Sequence, residues 1–233
     1  MEYISPLNIL IFSKTSGYRH DSITAGVAAI QAITATRGFV KIEATEDAEA
    51  AFTSSSLSQY QVVVLLHCTG DFLSGSQVEV LKSYVRAGGG VVAIHGAAAG
   101  MLKDEWYGKL IGAHFDSHPD PEAGRVLLET GIEGEGRDGW MDEWYNFRTH
   151  PRDNPNLKIL LKGDTTSFSG GKMGDDHPLA WYQDFDGGRS YYTALGHFDE
   201  AYADEWFVGQ VTQAILWAAN GLYVPKIPPY SAE

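Results

Sequence analysis

Apolar residues in the first half of the chain fall into short runs, separated by segments with helical periodicity. Three of these runs are apolar on both faces and the fourth alternates, and all four predict strands. The predicted strands cover residues 7–13, 39–44, 62–67 and 91–96. Helices are predicted from Asp21 or Ser22 to about residue 36 and over 76–87, where Gly88 ends the second helix. Strands that alternate with helices in this way are typical of a parallel sheet.

The second half of the chain is less regular but carries further elements. Short helices are predicted within 98–112, and a final helix over 204–219. The predicted strands cover residues 125–129, 158–161, 177–183 and 190–195. The last two strands are joined by DFDGGR, whose Asp-Gly-Gly suits a hairpin. Between 131 and 156 lies a long excursion whose tryptophans favour order.

The fold class that follows is α/β, with a doubly wound, mostly parallel sheet and helices on both faces. This is a three-layer sandwich. No repeat or internal linker interrupts the sequence, so we expect one domain over residues 1–233. Its core spans about 7–220, and the proline-rich segment 221–233 forms a surface tail.

Charge and composition exclude several classes of partner. The net charge is −13 and the isoelectric point is about 4.9. Such a field repels phosphate backbones and anionic membranes, so we expect neither nucleic acid nor membrane as a partner. The N-terminus has no basic region before its short apolar run, and no segment is long enough to span a bilayer. A cytoplasmic protein is the expectation.

Histidines follow several predicted strands at the edge where open parallel sheets bind ligands. His67, His95 and His197 each follow a strand, and His20 ends the loop after the first strand. An imidazole at such a position can be a base, an acid or a metal ligand. It can equally be a hydrogen-bonded structural residue, and for any one of these histidines both interpretations stay open.

Among these histidines, His95 has the sequence context that most specifically indicates a functional site. It stands in VVAIHGAAAG, where Gly96, Ala97 and Ala98 crowd tiny side chains around it. A strand that turns abruptly into a helix needs such neighbours, as in the nucleophile elbow, which holds its central residue exposed above the sheet. An imidazole there acts as an acid, a base or a ligand rather than as the main nucleophile.

Other polar residues could complete the site. Prolines after His118 and His177 fix the backbone of each histidine in an extended form. Asp142 and Glu143 point opposite ways in an extended segment, so only one faces the site, and we favour Glu143. Neutral imidazoles with a carboxylate suit a divalent metal such as zinc, although no pair has the H-x-x-x-H spacing of a helical site. The metal ligands we predict are His20, His95, His177 and His197.

Aromatic and small polar residues supply candidates for sugar binding. Trp144 and Tyr145 are the first candidates for flat platforms under a sugar ring, although most aromatics are core residues. Asp71 in CTGD could bond a hydroxyl group or cap a turn. Cys68 is the single cysteine, and we interpret it as a buried apolar residue rather than a nucleophile.

Several segments together resemble the trehalose-utilisation (ThuA-like) family, over about residues 8–220. They are ILIFSKTSGYRHDSI, CTGD, YVRAGGGVVAIHGAA, WYGKLIGAHFDSHP, DEWYNF, HPLAWY and GGRSYYTALGH. The resemblance implies a class I glutamine-amidotransferase-like (flavodoxin-like) fold, with His95 where those enzymes carry a nucleophilic cysteine. It also implies carbohydrate handling. One departure is His67-Cys68, where a small polar residue followed by Thr or Ser is expected.

The candidate site consists of polar residues in the segments that resemble the family, together with the aromatic pair Trp144 and Tyr145. The expected catalytic residues are His95, Glu143, His177 and His197. The expected substrate-binding residues are His20, Asp21, Asp71, His118, Trp144 and Tyr145. The expected partner is a small carbohydrate, and a homodimer is expected only from the frequency of such dimers.

Three hypotheses for the function follow. The first is an enzyme that acts on a disaccharide or 3-keto-glycoside by acid–base chemistry, with or without a metal, as a lyase, hydrolase or isomerase. The second is a non-catalytic sugar-binding or regulatory protein on an amidotransferase-like scaffold. The third, a hydrolase that uses Cys68, has less support.

Overall fold

The computed structural model describes residues 7–36 and 40–220 of the chain. The strands are β1 (Leu7–Phe12), β2 (Val40–Thr45), β3 (Val62–Leu66), β4 (Gly90–Ile94), β5 (Phe115–Ser117), β6 (Glu122–Leu128), β7 (Arg137–Asp142), β8 (Asn146–Phe147), β9 (Lys158–Gly163), β10 (His177–Phe185) and β11 (Gly188–Thr193). The α-helices are α1 (Ile23–Thr36), α2 (Ala48–Ala51), α3 (Ser54–Leu57), α4 (Gly75–Arg86), α5 (Glu105–Ile111) and α6 (Glu205–Asn220).

Nine of these strands form one mixed sheet in the order β2-β1-β3-β4-β11-β10-β9-β6-β7. The first five run parallel, which confirms the parallel sheet predicted from the apolar runs. The last four alternate in direction, because the hairpin β10–β11 reverses the chain and β9, β6 and β7 each pair antiparallel with a neighbour. Short connections permit only antiparallel pairing, whereas parallel pairing needs a crossover helix.

Helices cover both faces of the sheet, as the contacts of β11 show. The Arg189 side chain donates to the carbonyl oxygens of Ala218 and Ala219 in α6. The hydroxyl of the next residue, Ser190, donates to the carbonyl oxygen of Leu110 in α5. Successive strand residues point to opposite faces, so α5 and α6 lie on opposite sides of the sheet.

The long excursion after β6 differs most from the sequence prediction. It contains β7, the short strand β8, which pairs with β5 from before β6, and a 3₁₀ turn at Pro151–Asp153. The helical segment predicted over 98–112 is divided, since a 3₁₀ helix spans His95–Ala99 and α5 begins only after Asp104 caps its first turn. The predicted tail at 221–233 lies outside the described residues.

None of the helices within the described ranges combines the length and the apolar character that a membrane-spanning helix requires.

Candidate functional site

The chain turns sharply at His95, directly after β4. His95 has a φ of 48°, in the left-handed region that residues with a side chain seldom adopt, and it opens a 3₁₀ helix. A Cβ atom on Gly96 would lie 2.8 Å from Cε1 of His20. The small residues predicted to form an elbow therefore let the His20 ring pack against the turn.

Four side chains from distant parts of the chain meet at this turn. Nε2 of His95 lies 3.3 Å from Oε2 of Glu143 and 3.3 Å from Nδ1 of His197. Nδ1 of His197 lies 3.2 Å from the same Glu143 oxygen. With a ring nitrogen of His20, the four ligand-type atoms all lie within 4.8 Å of one another. We call His20, His95, Glu143 and His197 the His–Glu cluster.

The protonation of His95 is fixed by a backbone carbonyl. Its Nδ1 lies 2.5 Å from the carbonyl oxygen of Ala194, which only accepts, so Nδ1 carries a proton. In the neutral ring Nε2 then presents a lone pair to the Glu143 carboxylate, which also only accepts. Two acceptors at this distance repel unless a donor or a cation lies between them. A proton on Nδ1 of His197, which lies 3.3 Å from this nitrogen and 3.2 Å from the Glu143 oxygen, a proton on Nε2 of His95, or a metal cation would each remove the repulsion.

The Asp142 and Glu143 carboxylates approach different nitrogens of His95, with Oδ1 of Asp142 4.0 Å from Nδ1 and Oε2 of Glu143 3.3 Å from Nε2. The buried Asp142 carboxylate accepts hydrogen bonds from Nε1 of Trp140, the backbone N–H of Gly196, that of His197 and that of Glu143, at 2.8 to 3.2 Å. These four bonds hold the loop after β11 against the end of β7. Asp142 thus fixes the positions of both Glu143 and His197.

Burial and charge shift the pKa values within the cluster. Burial, with the neighbouring imidazoles of His95 and His197, lowers the pKa of His20 to about 3. Burial alone would raise the pKa of Glu143, but its bonds to His197 and His95 outweigh burial and lower it. Burial likewise opposes protonation of His197, yet the Glu143 carboxylate raises its pKa. His20 is thus kept neutral and Glu143 ionised, the forms that ligate metals.

Behind the cluster lies a layer of polar residues that the sequence did not reveal. The His67 ring stacks on the His20 ring with centroids 4.4 Å apart. Its Nε2 lies 2.7 Å from the Tyr202 hydroxyl and 3.3 Å from the Ser22 hydroxyl, which itself donates to the carbonyl oxygen of His197. His67 is the residue that departs from the expected family pattern, and its place after a buried strand is the only sequence signal for this role.

A cavity of about 460 Å³ opens beside the cluster, within the range of about 300–1,000 Å³ usual for small-molecule sites. Its walls include His20, Glu143, His118, Tyr145 and Tyr18. Nε2 of His118 lies 3.4 Å from Oε1 of Glu143, on the side of the carboxylate away from His95. Four predicted site residues, His20, His118, Glu143 and Tyr145, thus share one cavity.

Other predicted site residues lie elsewhere. His177 is buried outside the cluster and its Nε2 donates to the carbonyl oxygen of Tyr145, so Glu143 takes the place that the sequence prediction gave to His177. Trp144 is fully buried and stacks on Phe168 at 4.2 Å, so it offers no platform to a sugar. Asp71 and Asp21 are exposed and do not line the cavity.

The single cysteine has no access to the cavity. Cys68 is fully buried, its thiol donates to the carbonyl oxygen of Phe12, and burial raises its pKa well above the usual value. A thiol held in this way is a poor nucleophile. These contacts agree with the sequence interpretation of Cys68 as a buried apolar residue.

Stability is expected to fall in mild acid, in part because of His177. Burial lowers the pKa of His177 to about 4, so the folded protein keeps this ring neutral where the unfolded chain, with a pKa of about 6.5, binds a proton. His177 therefore does not reduce the free energy of unfolding above pH 6.5. Below that pH it lowers the free energy of unfolding by about 1.4 kcal/mol per pH unit as the pH falls toward 4. Urea unfolding of metal-free protein at pH 7.5 and pH 5.0 measures the change.

His177→Gln is the matched variant for this prediction, because glutamine keeps a donor for the Tyr145 carbonyl but does not titrate. Between pH 7.5 and pH 5.0, the free energy of unfolding of His177→Gln should decrease by about 2 kcal/mol less than that of the wild type. An unchanged pH dependence in His177→Gln would show that His177 does not contribute.

The fold and the site together define an α/β protein in which imidazoles and a carboxylate lie together at the carboxyl edge of a sheet. The chain belongs to the ThuA family, described as trehalose utilisation, whose model matches residues 8–218. No curated protein matches the sequence.

Solved structures share the fold at low sequence identity. A ThuA-like protein from Parabacteroides merdae is 19% identical, with a TM-score of 0.74 over 96% of this chain and 94% of that one. A ThuA-like protein from Bacteroides uniformis is 20% identical, with a TM-score of 0.68 over 94% and 92%. A β-galactosidase from Bacillus circulans is 13% identical, with a TM-score of 0.57 over 96% of this chain but only 32% of the enzyme. These structures show that the fold is that of the ThuA-like proteins.

Proposed function

We propose that the protein is a carbohydrate-processing enzyme that binds a divalent metal such as zinc in the His–Glu cluster. Its substrate is a disaccharide or a 3-keto-glycoside, and its reaction is an elimination or hydrolysis by acid–base chemistry. The observation that carries the proposal is the lone pair of His95 Nε2 directed at the Glu143 carboxylate. The family description, trehalose utilisation, supports the class of substrate.

The cluster fits a tetrahedral metal in chemistry, and three of its four ligand atoms also fit in dimensions. Three imidazoles and one carboxylate are ligands that zinc prefers. Ligand atoms at about 2.0–2.1 Å from zinc stand about 3.3 Å apart around a tetrahedron. His95 Nε2, Glu143 Oε2 and His197 Nδ1 are separated by 3.2 to 3.3 Å, which matches one face of that tetrahedron. In addition, the buried Nδ1 of His20 has no hydrogen-bond partner within the described ranges.

The second coordination shell also suits a metal. Ligating histidines usually donate their other ring N–H to a carbonyl or carboxylate, as His95 does to Ala194. Asp142 holds the backbone of Glu143 and His197 in place. A bound cation would polarise a carbonyl or hydroxyl oxygen of a substrate that entered as a fifth ligand beside the four protein atoms, an expansion known for catalytic zinc sites.

His118 is the residue we assign as general base. Its Nδ1 donates to the carbonyl oxygen of Pro119 at 2.8 Å, so the neutral ring has its lone pair on Nε2, at the cavity wall. Oε1 of Glu143 lies 3.4 Å from this Nε2 and stabilises the imidazolium that forms when His118 takes up a proton. In a 3-keto-glycoside the C–H bond at carbon 2 is acidified by the neighbouring carbonyl group. His118 accepts that proton, the electron pair forms a carbon–carbon double bond, and the glycosidic oxygen leaves from carbon 1 and takes up a proton.

Replacement of His118 tests this assignment. Zinc-loaded His118→Ala should turn over 3-keto-trehalose about 10²–10⁴-fold more slowly than the wild type, because a positioned base contributes about that factor. Its zinc content should not change, since His118 lies outside the cluster. Chromatographic measurement of released glucose gives the rate. Equal rates for the variant and the wild type would refute the role of His118.

The same experiment separates catalysis from simple binding. Wild-type protein that binds 3-keto-trehalose but releases no glucose above the buffer rate would reject the enzyme proposal in favour of a sugar-binding protein.

A further inference from the structure

We infer that Tyr18 binds the substrate, with its phenol ring as the flat apolar surface on which a sugar ring stacks. The inference rests on the proposed function and adds to it a residue that determines affinity. Trp144 offers no such surface, because its side chain is fully buried. Tyr18 lies in the loop between β1 and α1, two residues before the cluster residue His20, and it lines the cavity beside the cluster.

Tyr18 is far more exposed than the other aromatic residues of the site. It is 65% exposed, and among the large apolar residues of 7–36 and 40–220 only Met141, at 49%, is also exposed. A single exposed apolar side chain needs no explanation by itself. Tyr18, however, lines the same cavity as Glu143 and His118, where a bound ligand would cover its ring.

The contact between Tyr18 and His20 leaves a face of the phenol ring free. The two rings are nearly perpendicular, with an angle of 87° between their planes and centroids 4.8 Å apart. A perpendicular contact covers at most one face of the Tyr18 ring. His20 in turn contacts the rings of His95 and His197, with centroids 4.9 and 5.3 Å away. One side chain therefore separates Tyr18 from the rest of the His–Glu cluster, so a sugar held at the cluster is within reach of the phenol ring.

The backbone around Tyr18 is fixed, although its ring is exposed. The N–H of Gly17 donates to the carbonyl oxygen of Thr69 at 3.2 Å, and the Thr69 hydroxyl donates to the carbonyl oxygen of Tyr18 at 2.5 Å. On the other side, the Arg19 guanidinium forms two hydrogen bonds with the Glu46 carboxylate. A binding surface on an ordered loop loses little entropy when a ligand binds.

A second group of aromatic rings lines the same cavity. The rings of Phe115, His118 and Tyr145 contact one another, with centroids 4.4 to 5.8 Å apart. The faces of a sugar ring carry C–H bonds that pack on aromatic rings, while its hydroxyl groups remain free for hydrogen bonds. A cavity with aromatic rings from two distant segments suits such a ring better than it suits a small ion.

Steady-state kinetics of zinc-loaded protein with 3-keto-trehalose tests the inference. Tyr18→Ala should raise KM about 10-fold and leave kcat unchanged, because stacking stabilises the bound substrate and the transition state equally. A 10-fold change corresponds to about 55 Å² of lost apolar contact. Tyr18→Phe, which keeps the ring, should stay within about 2-fold of the wild type. Met141→Ala is the control, because it removes an exposed apolar side chain that does not line the cavity.

The outcomes keep this inference apart from the proposed function. A wild-type KM in Tyr18→Ala would overturn the role of Tyr18 and leave the enzyme proposal intact. A lower kcat or a lower zinc content in Tyr18→Ala would also overturn it, since Tyr18 would then support the cluster through His20 instead of binding the sugar.

Calorimetric titration with 3-keto-trehalose measures affinity without turnover when it is done in the slow His118→Ala background. Adding Tyr18→Ala there should weaken binding about 10-fold. If the wild type binds the sugar but does not turn it over, the enzyme proposal fails, and the same 10-fold loss still supports the role of Tyr18. If the wild type does not bind the sugar, both proposals are contradicted.

Discussion

Glu143→Gln is expected to lower zinc affinity by more than about 100-fold, since changes to the outer shell of a metal site already cost about 10–100-fold. The carboxylate is the only negative group among the four ligand residues, and it touches both His95 and His197. Glutamine keeps the shape but removes the charge that offsets a divalent ion. The pKa of His197, raised by Glu143, should fall in the variant. Elemental analysis of protein purified without chelator, with a competitive dye titration, measures the effect.

Asp71→Asn is the control for this experiment, because Asp71 is an exposed carboxylate near the cavity that does not line it. It should bind zinc like the wild type. Wild-type protein without zinc, or Glu143→Gln with wild-type affinity, would show that the metal proposal is wrong.

Asp142→Ala is expected to destabilise the fold more than any other single change at the site. It leaves four N–H groups, those of Trp140, Glu143, Gly196 and His197, without their acceptor in a buried position. Such a loss costs roughly 3–5 kcal/mol. For a chain of this size it lowers the melting temperature by about 6–20 °C. Differential scanning calorimetry of metal-free protein measures it.

Asp142→Asn and Asp138→Ala provide the comparison. Asparagine has one acceptor oxygen and an amide that cannot accept, so it should recover only part of the lost stability. The Asp138 side chain is 79% exposed and pairs with Arg125 at the surface, so its loss should change the melting temperature by about 1 °C or less. Equal melting temperatures for Asp142→Ala and Asp138→Ala would mean that the four bonds do not support the loop.

The parallel half of the sheet could be predicted because its strands carry local signals. The apolar runs at 62–67 and 91–96 are too continuous for surface elements, and they became β3 and β4. The hairpin of β10 and β11 followed from its turn residues. The antiparallel extension through β9, β6 and β7 could not be predicted, since strand order depends on contacts between segments far apart in sequence.

Site residues could be predicted where they lie at the ends of predicted strands. His95 was predicted from the elbow and Glu143 from its place beside the aromatic pair Trp144 and Tyr145, and the structure brings His95 and Glu143 together. The placement of His177 failed because its Pro fixes the backbone but not the face to which the ring points. The prediction of Trp144 as a sugar platform was wrong for a similar reason. The burial of its side chain depends on packing against Phe168, which the sequence does not identify as its partner.

The four residues of the His–Glu cluster, at positions 20, 95, 143 and 197, are far apart in the sequence, so the cluster forms only when the chain folds. A growing or unfolded polypeptide holds these four groups far apart, so it offers no high-affinity centre that could capture an ion prematurely. Once the last loop is in place, a single ion would act as a reversible cross-link between the two ends of the molecule. Its removal should then loosen the loop after β11 first, well before the parallel strands separate.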